Sequence, residues 1–582
     1  MEATKNGKTT VGDYLLTRLR QLGVDHMFGV CGDFVLGFCN QVIESGMEYV
    51  GTCNELNAGY AADGYARIKG LAAVTTTYAV GELSALNAVA GSFAERIPVV
   101  VISGSPTTED QRKQPLLHHT LGDYSIPFKI FSHVTSAQTI LNDPESAPRE
   151  IDRVLSVCLT KLSPVYISLP ADICNAECAA PDPNFKFVKE IDVDSQVLEE
   201  CMEETLKMVE AAQKPIIIAD MELIRKKLHK QFRHLLEKSG FPYVTVMMGK
   251  AVIDEDHPQF IGLYEGNRSR AYVKDRVENA DCIIYLGALM TDFNTGGFSA
   301  DLKPKKLITA TNDKVNVKFH SYDNIPLATF MAQLSERLTK RDPENLDIKR
   351  AIYGCVHKPA RYSDKDDGAE KHAMKKGEKT TLRRFFDRVS DFLQPNSVVI
   401  AETGVSMFSV AETLLPKGCD FIGQIFYGSI GYTVGATLGV AIALKNTDRE
   451  VVLFVGDGSF QVTAQDLSTY IRNNLKPVVF LINNDGYTIE RAITDRHPLY
   501  NNIQPWAYHL LPYVFAGGKD EATKGAEVFT EDQLDDVLEN FVPKNRKEGR
   551  MSLVEVHFDR MDIPSSLAAA GESMAKKNQI AK

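Results

Sequence analysis

No stretch of the chain is continuously apolar for the roughly 18–20 residues a membrane-spanning helix needs, so no membrane partner is expected. Basic residues are in deficit, with 65 Lys and Arg against 76 Asp and Glu and a formal net charge of −11. No basic domain stands out, which argues against a nucleic-acid partner. The N-terminal stretch "MEATKNGKTTVGDYLL" lacks an apolar h-region, so no secretory signal is expected. Ten cysteines are scattered with no CxxC pair, and Cys158 and Cys282 sit inside apolar runs. That pattern excludes a disulfide framework and fits reduced, mostly buried thiols in a cytoplasmic protein. Histidine is scarce, 13 in 582 residues, which makes two adjacent ones in "LLHHTLGD" (116–123) conspicuous. They suit a metal site, an acid/base pair or a packed turn.

What is present reads as a globular α/β chain. Hydrophobic residues at 44% and charged residues at 24% are an ordinary balance, and 582 residues exceed what one core can organise. Short β-branched runs alternate with helical patterns, the signature of parallel sheets. They include "DHMFGV" (25–30), "AAVTTTY" (72–78), "PVVVISGS" (98–105) and "PVYISLP" (164–170). A second group holds "KPIIIAD" (214–220), "YVTVM" (243–247), "CIIYLGA" (282–288) and "KLITAT" (306–311), and a third "SVVIAET" (397–403), "EVVLFVGDG" (450–458), "KPVVFLINN" (476–484) and "SLVEVHF" (552–558). A proline-bearing stretch at 179–194 and a charged, glycine-dotted one at 360–379 read as linkers. The expectation is three doubly wound parallel-sheet domains, 1–185, 195–345 and 380–582, with 346–379 as the second linker.

The most informative stretch runs from Val451 to Glu490. An apolar strand, Val451–Val455, stops at Gly456-Asp457-Gly458, and a helical pattern follows from about Thr463 to Asn473. A second strand, Val478–Ile482, stops at Asn483-Asn484. In a right-handed β-α-β unit both stops lie at carboxyl ends, where open α/β sheets bind ligands. Glycine lets backbone approach a phosphate, and a carboxylate with an amide oxygen suits a Mg²⁺ ion completed by water and phosphates. Taken singly, each piece reads equally well as a glycine turn or an Asx turn.

The GDG to NN pattern, with 24 residues between, resembles the diphosphate-binding motif of thiamine diphosphate (ThDP) enzymes. The words "CNELNAGYAADGYAR" (53–67), "VGELSALN" (80–87), "LLHHTLGD", "DFNTGGF" (292–298), "YGSIGYTVGA" (427–436) and "NNDGYTIE" (483–490) narrow the resemblance to the 2-oxo-acid decarboxylases. It runs unbroken from about residue 10 to about 570 and implies the ThDP-binding fold, with pyrimidine, middle and diphosphate domains. By that resemblance Glu55 activates the cofactor's pyrimidine ring, while Thr403, Gly428 and Ile430 contact and bend it. Asp457, Asn484 and the Gly486 carbonyl are implied as Mg²⁺ ligands, with Gly458, Ser459 and Tyr487 beside them. His118, His119, Asp33 and Glu490 are implied as the acid/base set that protonates the carbon left after CO₂ departs. Read without the resemblance, Glu55 passes as a surface glutamate on a helix over 54–66, Asp33 as a helix N-cap and Glu490 as a first-turn charge. Cys31 replaces a proline usual in the family. In that family the cofactor spans two domains and two subunits commonly share each site, so the resemblance implies a homodimer with shared sites, and a homotetramer built from it.

Phe293, Met407, Ile489 and Met574 match pocket positions, although each also passes as core. Phe293 and Ile489 narrow the pocket and favour pyruvate or short aliphatic 2-oxo acids, whereas pliable Met407 leaves indolepyruvate, phenylpyruvate, branched or medium-chain acids open. "ADMELIRKK" (219–227) lacks the cysteine of substrate-activated relatives, so no cysteine-mediated activation is expected. A carboligase of the acetolactate synthase type shares GDG and Glu55 but lacks the HH pair. A catalytically silent relative predicts broken motifs, yet every expected polar residue is present. A nicotinamide dehydrogenase needs a GxGxxG after a strand, and none is convincingly placed.

Overall fold

A computed structural model describes residues 7–188, 191–342, 346, 376–494 and 498–580. The expected linker 346–379 lies outside the described residues except for Leu346 and 376–379.

The apolar runs form open sheets. The first has the order Glu48–Gly51, His26–Gly29, Ala72–Thr76, Val99–Ser105, Val165–Pro170, Ala137–Ile140, parallel throughout. A C-terminal sheet repeats that order with Asp420–Ile422, Val398–Ala401, Val451–Gly456, Val478–Asn483, Ser552–His557 and Ala526–Val528, again all parallel. Helices cover both faces, so central strands such as Val478–Asn483 are buried along their whole length and read as unbroken apolar runs. In both sheets the order reverses beside the first strand. The chain leaves His26–Gly29 for Glu48–Gly51 on one side and returns to Ala72–Thr76 on the other; Val398–Ala401 is flanked in the same way. Such switch points open a crevice at the carboxyl ends of the strands.

The middle sheet is parallel in its first five strands and mixed at one edge. Its order is Phe260–Leu263, Tyr243–Thr245, Pro215–Ala219, Cys282–Leu286, Leu307–Ala310, Lys314–Val317, His320–Asp323, and the last two strands run antiparallel to their neighbours. The connections 311–313 and 318–319 are too short for the crossover that a parallel pairing requires, so the chain turns back as hairpins. Edge strands such as Ala137–Ile140 and Ala526–Val528 are short and mixed in polarity, and gave no strand signal. The stretch 179–194, read as a linker, starts inside a strand: Glu177–Ala179 pairs antiparallel with Lys8–Thr10. Among the described residues no helix is long and apolar enough to cross a membrane.

Two helices join the first and last domains. Glu55–Lys69 and Tyr432–Leu444 approach so closely that a Cβ on Gly439 would lie 1.8 Å from the Ala61 carbonyl oxygen, and one on Gly64 2.1 Å from that of Ala436. Small residues in "AGYAADGYA" and "GATLG" therefore serve backbone contact. Beside this seam Arg67, its side chain 4% exposed, donates to Asp63 at 2.6 Å and Glu95 at 2.8 Å. Tyr432 and Ser92 donate to the Asp63 carboxylate, and Arg225 of the middle domain to the Glu95 carbonyl. Buried charge is tolerated because it is paired and hydrogen-bonded on all sides.

Candidate active site

The residues expected to act on the substrate come from the switch point of the first sheet. Strand His26–Gly29 ends, and Asp33 opens the short turn Asp33–Val35. His118 and His119 lie in the loop after helix Thr108–Lys113; His119 adopts φ +68°, and its ring meets that of His118 edge-on with centroids 4.6 Å apart. His118 Nε2 and Asp33 Oδ2 are 2.5 Å apart, and His119 Nε2 is 3.7 Å from Asp33 Oδ1. Burial opposes ionisation of Asp33. The hydrogen bond and charge of His118, with the Phe34 and Asp33 N–H groups, outweigh it and hold the carboxyl below its ordinary value. Phe34, unmarked by any sequence signal, stacks on His118 with centroids 5.1 Å apart and meets His119 edge-on at 6.2 Å. The three groups lie close enough to hold a metal, but all remain partly open to solvent and form an acid/base cluster equally well.

Glu55 is placed by a cap. Asn54 accepts the Asn57 N–H at 2.8 Å and opens helix Glu55–Lys69, so Glu55 becomes its first residue, where the helix dipole favours a carboxylate. The loop before it is held from the last domain, where Asp466 accepts the Cys53 N–H at 3.1 Å. A Cβ on Gly81 would lie 3.1 Å from Glu55 Oε1, so glycine leaves the carboxylate its space. The glutamate is half-buried, not a surface residue.

The second half-site stands on the C-terminal sheet. Strand Val451–Gly456 passes directly into helix Asp457–Thr463, so helix begins six residues before the expected start and Asp457 is its first residue. Its Oδ1 accepts the Gly458 N–H at 2.8 Å, and its Oδ2 the Gly486 N–H at 2.9 Å. The carboxylate thereby bridges two adjacent strand ends, as the sequence spacing implied. Asp457 is 1% exposed, and desolvation, only partly relieved by those N–H groups, pushes its carboxyl up to about 7. Such a group calls for a cation, which makes this site fit a divalent ion with phosphate.

Gly486 has φ +116°, and a Cβ there would meet the Asn501 carbonyl oxygen at 2.2 Å. Fully buried Arg491 donates to the carbonyls of Asn484 at 3.2 Å, Asp485 at 2.6 Å and Asn501 at 3.1 Å, which fixes the loop that presents Asn484 and Gly486. A Cβ on Gly458 would strike the Tyr487 ring at 2.7 Å. Ser459 is buried behind them, and Glu490 is exposed at the rim. Thr403 donates its hydroxyl to the Gln424 carbonyl, and its Cγ2 lies 3.8 Å from where a Gly428 Cβ would stand. Gly428 has φ +66°, and Ile430 beside it is 39% exposed. Buried Glu402 accepts from Thr403 and Thr433 N–H and the Thr433 hydroxyl; desolvation pushes its carboxyl up to about 7. Arg491 and Glu402 were missed, although a charged residue inside an apolar or glycine-rich word was a signal for both.

Met407 is fully buried and belongs to a core cluster against which half-buried Phe293 and Ile489 pack. A Cβ on Gly404 would lie 3.9 Å from Ile489. Met574, half-buried, sits on helix Ser565–Lys577, which packs on helix Thr488–Thr494. The structure thus gathers Thr403, Gly428, Asp457, Gly458, Asn484, Gly486 and Tyr487 on one edge, and Asp33, His118 and His119 on another. Among the described residues no hydrogen bond or ion pair joins Glu55 or the Asp33 cluster to the Asp457 loop.

Family comparisons follow the same division. The thiamine pyrophosphate enzyme N-terminal TPP binding domain matches residues 9–125, the central domain 202–338 and the C-terminal TPP binding domain 404–556. The chain is 37% identical to a pyruvate decarboxylase of Aspergillus fumigatus, covering 98% of this chain and 97% of the relative. It is 38% identical to the pyruvate decarboxylase of Kluyveromyces marxianus, over 98% and 99%. With pyruvate decarboxylase isozyme 1 of Saccharomyces cerevisiae it shares 37%, again over 98% and 99%. The chain therefore belongs to the ThDP-dependent 2-oxo-acid decarboxylases, carboxy-lyases of the thiamine pyrophosphate enzyme family.

Proposed function

We propose that this chain converts short aliphatic 2-oxo acids, pyruvate first, to an aldehyde and CO₂, using ThDP held by Mg²⁺, as a cytoplasmic homodimer with shared sites that pairs into a tetramer. The observation that carries the reading is the Asp33–His118–His119 cluster, a proton relay built at the same kind of sheet edge as the diphosphate half-site but left unjoined to it. Asp457, Asn484 and the Gly486 carbonyl would hold Mg²⁺, and Gly458 and Ser459 the diphosphate at the start of helix Asp457–Thr463. Glu55 would hold the pyrimidine end, with Thr403, Gly428 and Ile430 along the middle. When bound, ThDP would supply a nucleophilic carbon for the ketone and a cationic ring as sink for the electron pair released with CO₂.

The chain's own groups do the rest. Asp33 Oδ2 keeps His118 oriented, and Phe34 limits its rotation, so a proton is held at a fixed place beside the reacting carbon. Glu490 stands on the opposite half-site as a further proton-holding group. Phe293 and Ile489 narrow the space above buried Met407, which fits a short substrate side chain. The dimer reading is supported by apolar side chains left uncovered next to cofactor positions: Ile430 at 39%, Phe426 at 41%, Val462 at 40% and Val80 at 52% exposed. The cytoplasmic reading is supported by free cysteines, mostly buried. In the segment after strand Pro215–Ala219, Glu222 is buried and paired with Arg96 of the first domain.

The test is CO₂ and aldehyde release from a panel of 2-oxo acids, with and without ThDP and Mg²⁺. Pyruvate should give acetaldehyde with the highest kcat/KM; no ThDP-dependent CO₂ from any acid overturns the reading, and acetolactate as the product makes the chain a carboligase. Met407→Ala opens space beneath the pocket floor. It should shift preference towards bulkier acids by about tenfold, the worth of one or two methylenes, at a stability loss of about 2–5 kcal/mol. An unchanged panel removes Met407 from the pocket.

His118→Gln separates the two half-sites. Cofactor binding, read by calorimetry, should stay within about threefold of wild type, while kcat falls by about 10²–10⁴, the range for a lost general acid. Lost cofactor binding would show that the cluster belongs to the cofactor cradle.

A further inference from the structure

A second cluster of imidazoles and carboxylates lies at the outer edge of the C-terminal sheet. Glu555 and His557 are two residues apart on strand Ser552–His557 and so project from the same face. Glu527, on edge strand Ala526–Val528, lies directly across from Glu555 in the parallel register. His509 joins them from the turn Tyr508–Leu510. His509 Nδ1 is 2.9 Å from Glu555 Oε2 and 3.8 Å from Glu527 Oε1. His557 Nε2 is 3.0 Å from Glu527 Oε1 and 3.4 Å from Glu555 Oε1. A tetrahedron of N and O ligands at zinc-class bond lengths has edges of about 3.3–3.6 Å. His509, Glu527 and Glu555 each bring one ligand atom within 4.8 Å of the others, and His557 stands at their rim against Glu527 and Glu555.

We propose that His509, His557, Glu527 and Glu555 bind one divalent transition-metal ion of the zinc class, separate from the cofactor's cation. Charge points the same way. Two carboxylates facing two neutral rings leave two negative charges, balanced by two protons or by one dication. The Asn483 side-chain amide donates to Glu555 Oε1 at 2.8 Å, and the His509 backbone N–H to Oε2 at 3.0 Å. Both hold in place the carboxylate of a residue only 1% exposed. The His557 ring is fixed by Phe529, stacked on it at 4.1 Å and 9°. Such outer support is how ligands are held ready for a metal. Glu527 and His557 remain partly open to solvent, so an ion can enter. Two imidazoles with two carboxylates favour Zn²⁺, Co²⁺ or Ni²⁺ over Mg²⁺ or Ca²⁺, which take oxygen ligands. The site touches the cofactor loop at one point: Asn483, which holds Glu555, precedes Asn484.

The test is Co²⁺ titration of the holoenzyme in excess ThDP and Mg²⁺. One equivalent per chain should produce the intense visible absorption of four-coordinate Co²⁺, and Zn²⁺ should bleach it. His557→Gln and, independently, edge-strand Glu527→Gln should each abolish the band with the melting temperature near wild type. The Asp457→Asn chain should keep it, since its lesion lies at the other cation site. No such band in the wild-type holoenzyme, or a band that survives both substitutions, overturns the proposal and leaves a hydrogen-bonded cluster only.

Discussion

Glu55→Gln is expected to lower kcat by about 10³-fold or more, the scale on which a positioned proton-transfer group acts. The change is nearly isosteric and should be silent in the fold. The cap that starts the helix uses the Asn54 side chain and the Asn57 N–H, and the loop before it is tied to Asp466. Neither contact involves the Glu55 carboxylate. Removing a charge from the first turn costs about 0.3–1 kcal/mol of dipole interaction, too little to unfold a chain of this size. Steady-state kinetics with saturating ThDP and Mg²⁺, beside a thermal melt, makes the measurement. Above one tenth of wild-type kcat at an unchanged melting temperature, Glu55 is not the activating carboxylate.

The second large effect arises from mixing two inactive proteins. Glu55→Gln damages one half-site and Asp457→Asn the other, and among the described residues no hydrogen bond or ion pair joins the two. In a symmetric dimer whose sites each take Glu55 from one chain and Asp457 from its partner, a mixed dimer holds one intact site and one doubly damaged site. Random pairing of equal amounts makes half the dimers mixed, so about one quarter of wild-type activity should return from two preparations that each have almost none. Co-expression of differently tagged chains, with the mixed dimer isolated through both tags and expected at about half of wild-type activity, provides the measurement. If each chain carries a complete site, the isolated mixed dimer is as inactive as its parents. Such rescue cannot come from partial folding, because each parent supplies its own control.

Much of this site was legible before any coordinate. A strand buried on both faces must be apolar throughout and must stop where its backbone meets a polar ligand, so GDG and NN at matched stops identify two adjacent strand ends. The structure bears this out through one carboxylate: Asp457 accepts an N–H from each loop. Glu55 was legible only through its motif, since a glutamate in a helix's first turn is common. The helix start was not legible, because strand Val451–Gly456 enters helix at Asp457 with no intervening loop to mark it. The antiparallel edge of the middle sheet was missed because connections only two or three residues long carry no helical pattern.

The sequence by itself determined the class of chemistry and the three α/β units, because apolar runs, glycine words and a few polar residues must recur in order for such a site to exist. Tertiary structure alone decided what those words do to one another. Burial turned Asp457 into a carboxyl poised near 7, a property of its surroundings that no residue type encodes. Folding also brought His509, Glu527, Glu555 and His557 together from three separate segments, a proximity that only sheet register creates. Spacing along a chain reports local structure, whereas contact between distant segments depends on which strands become neighbours.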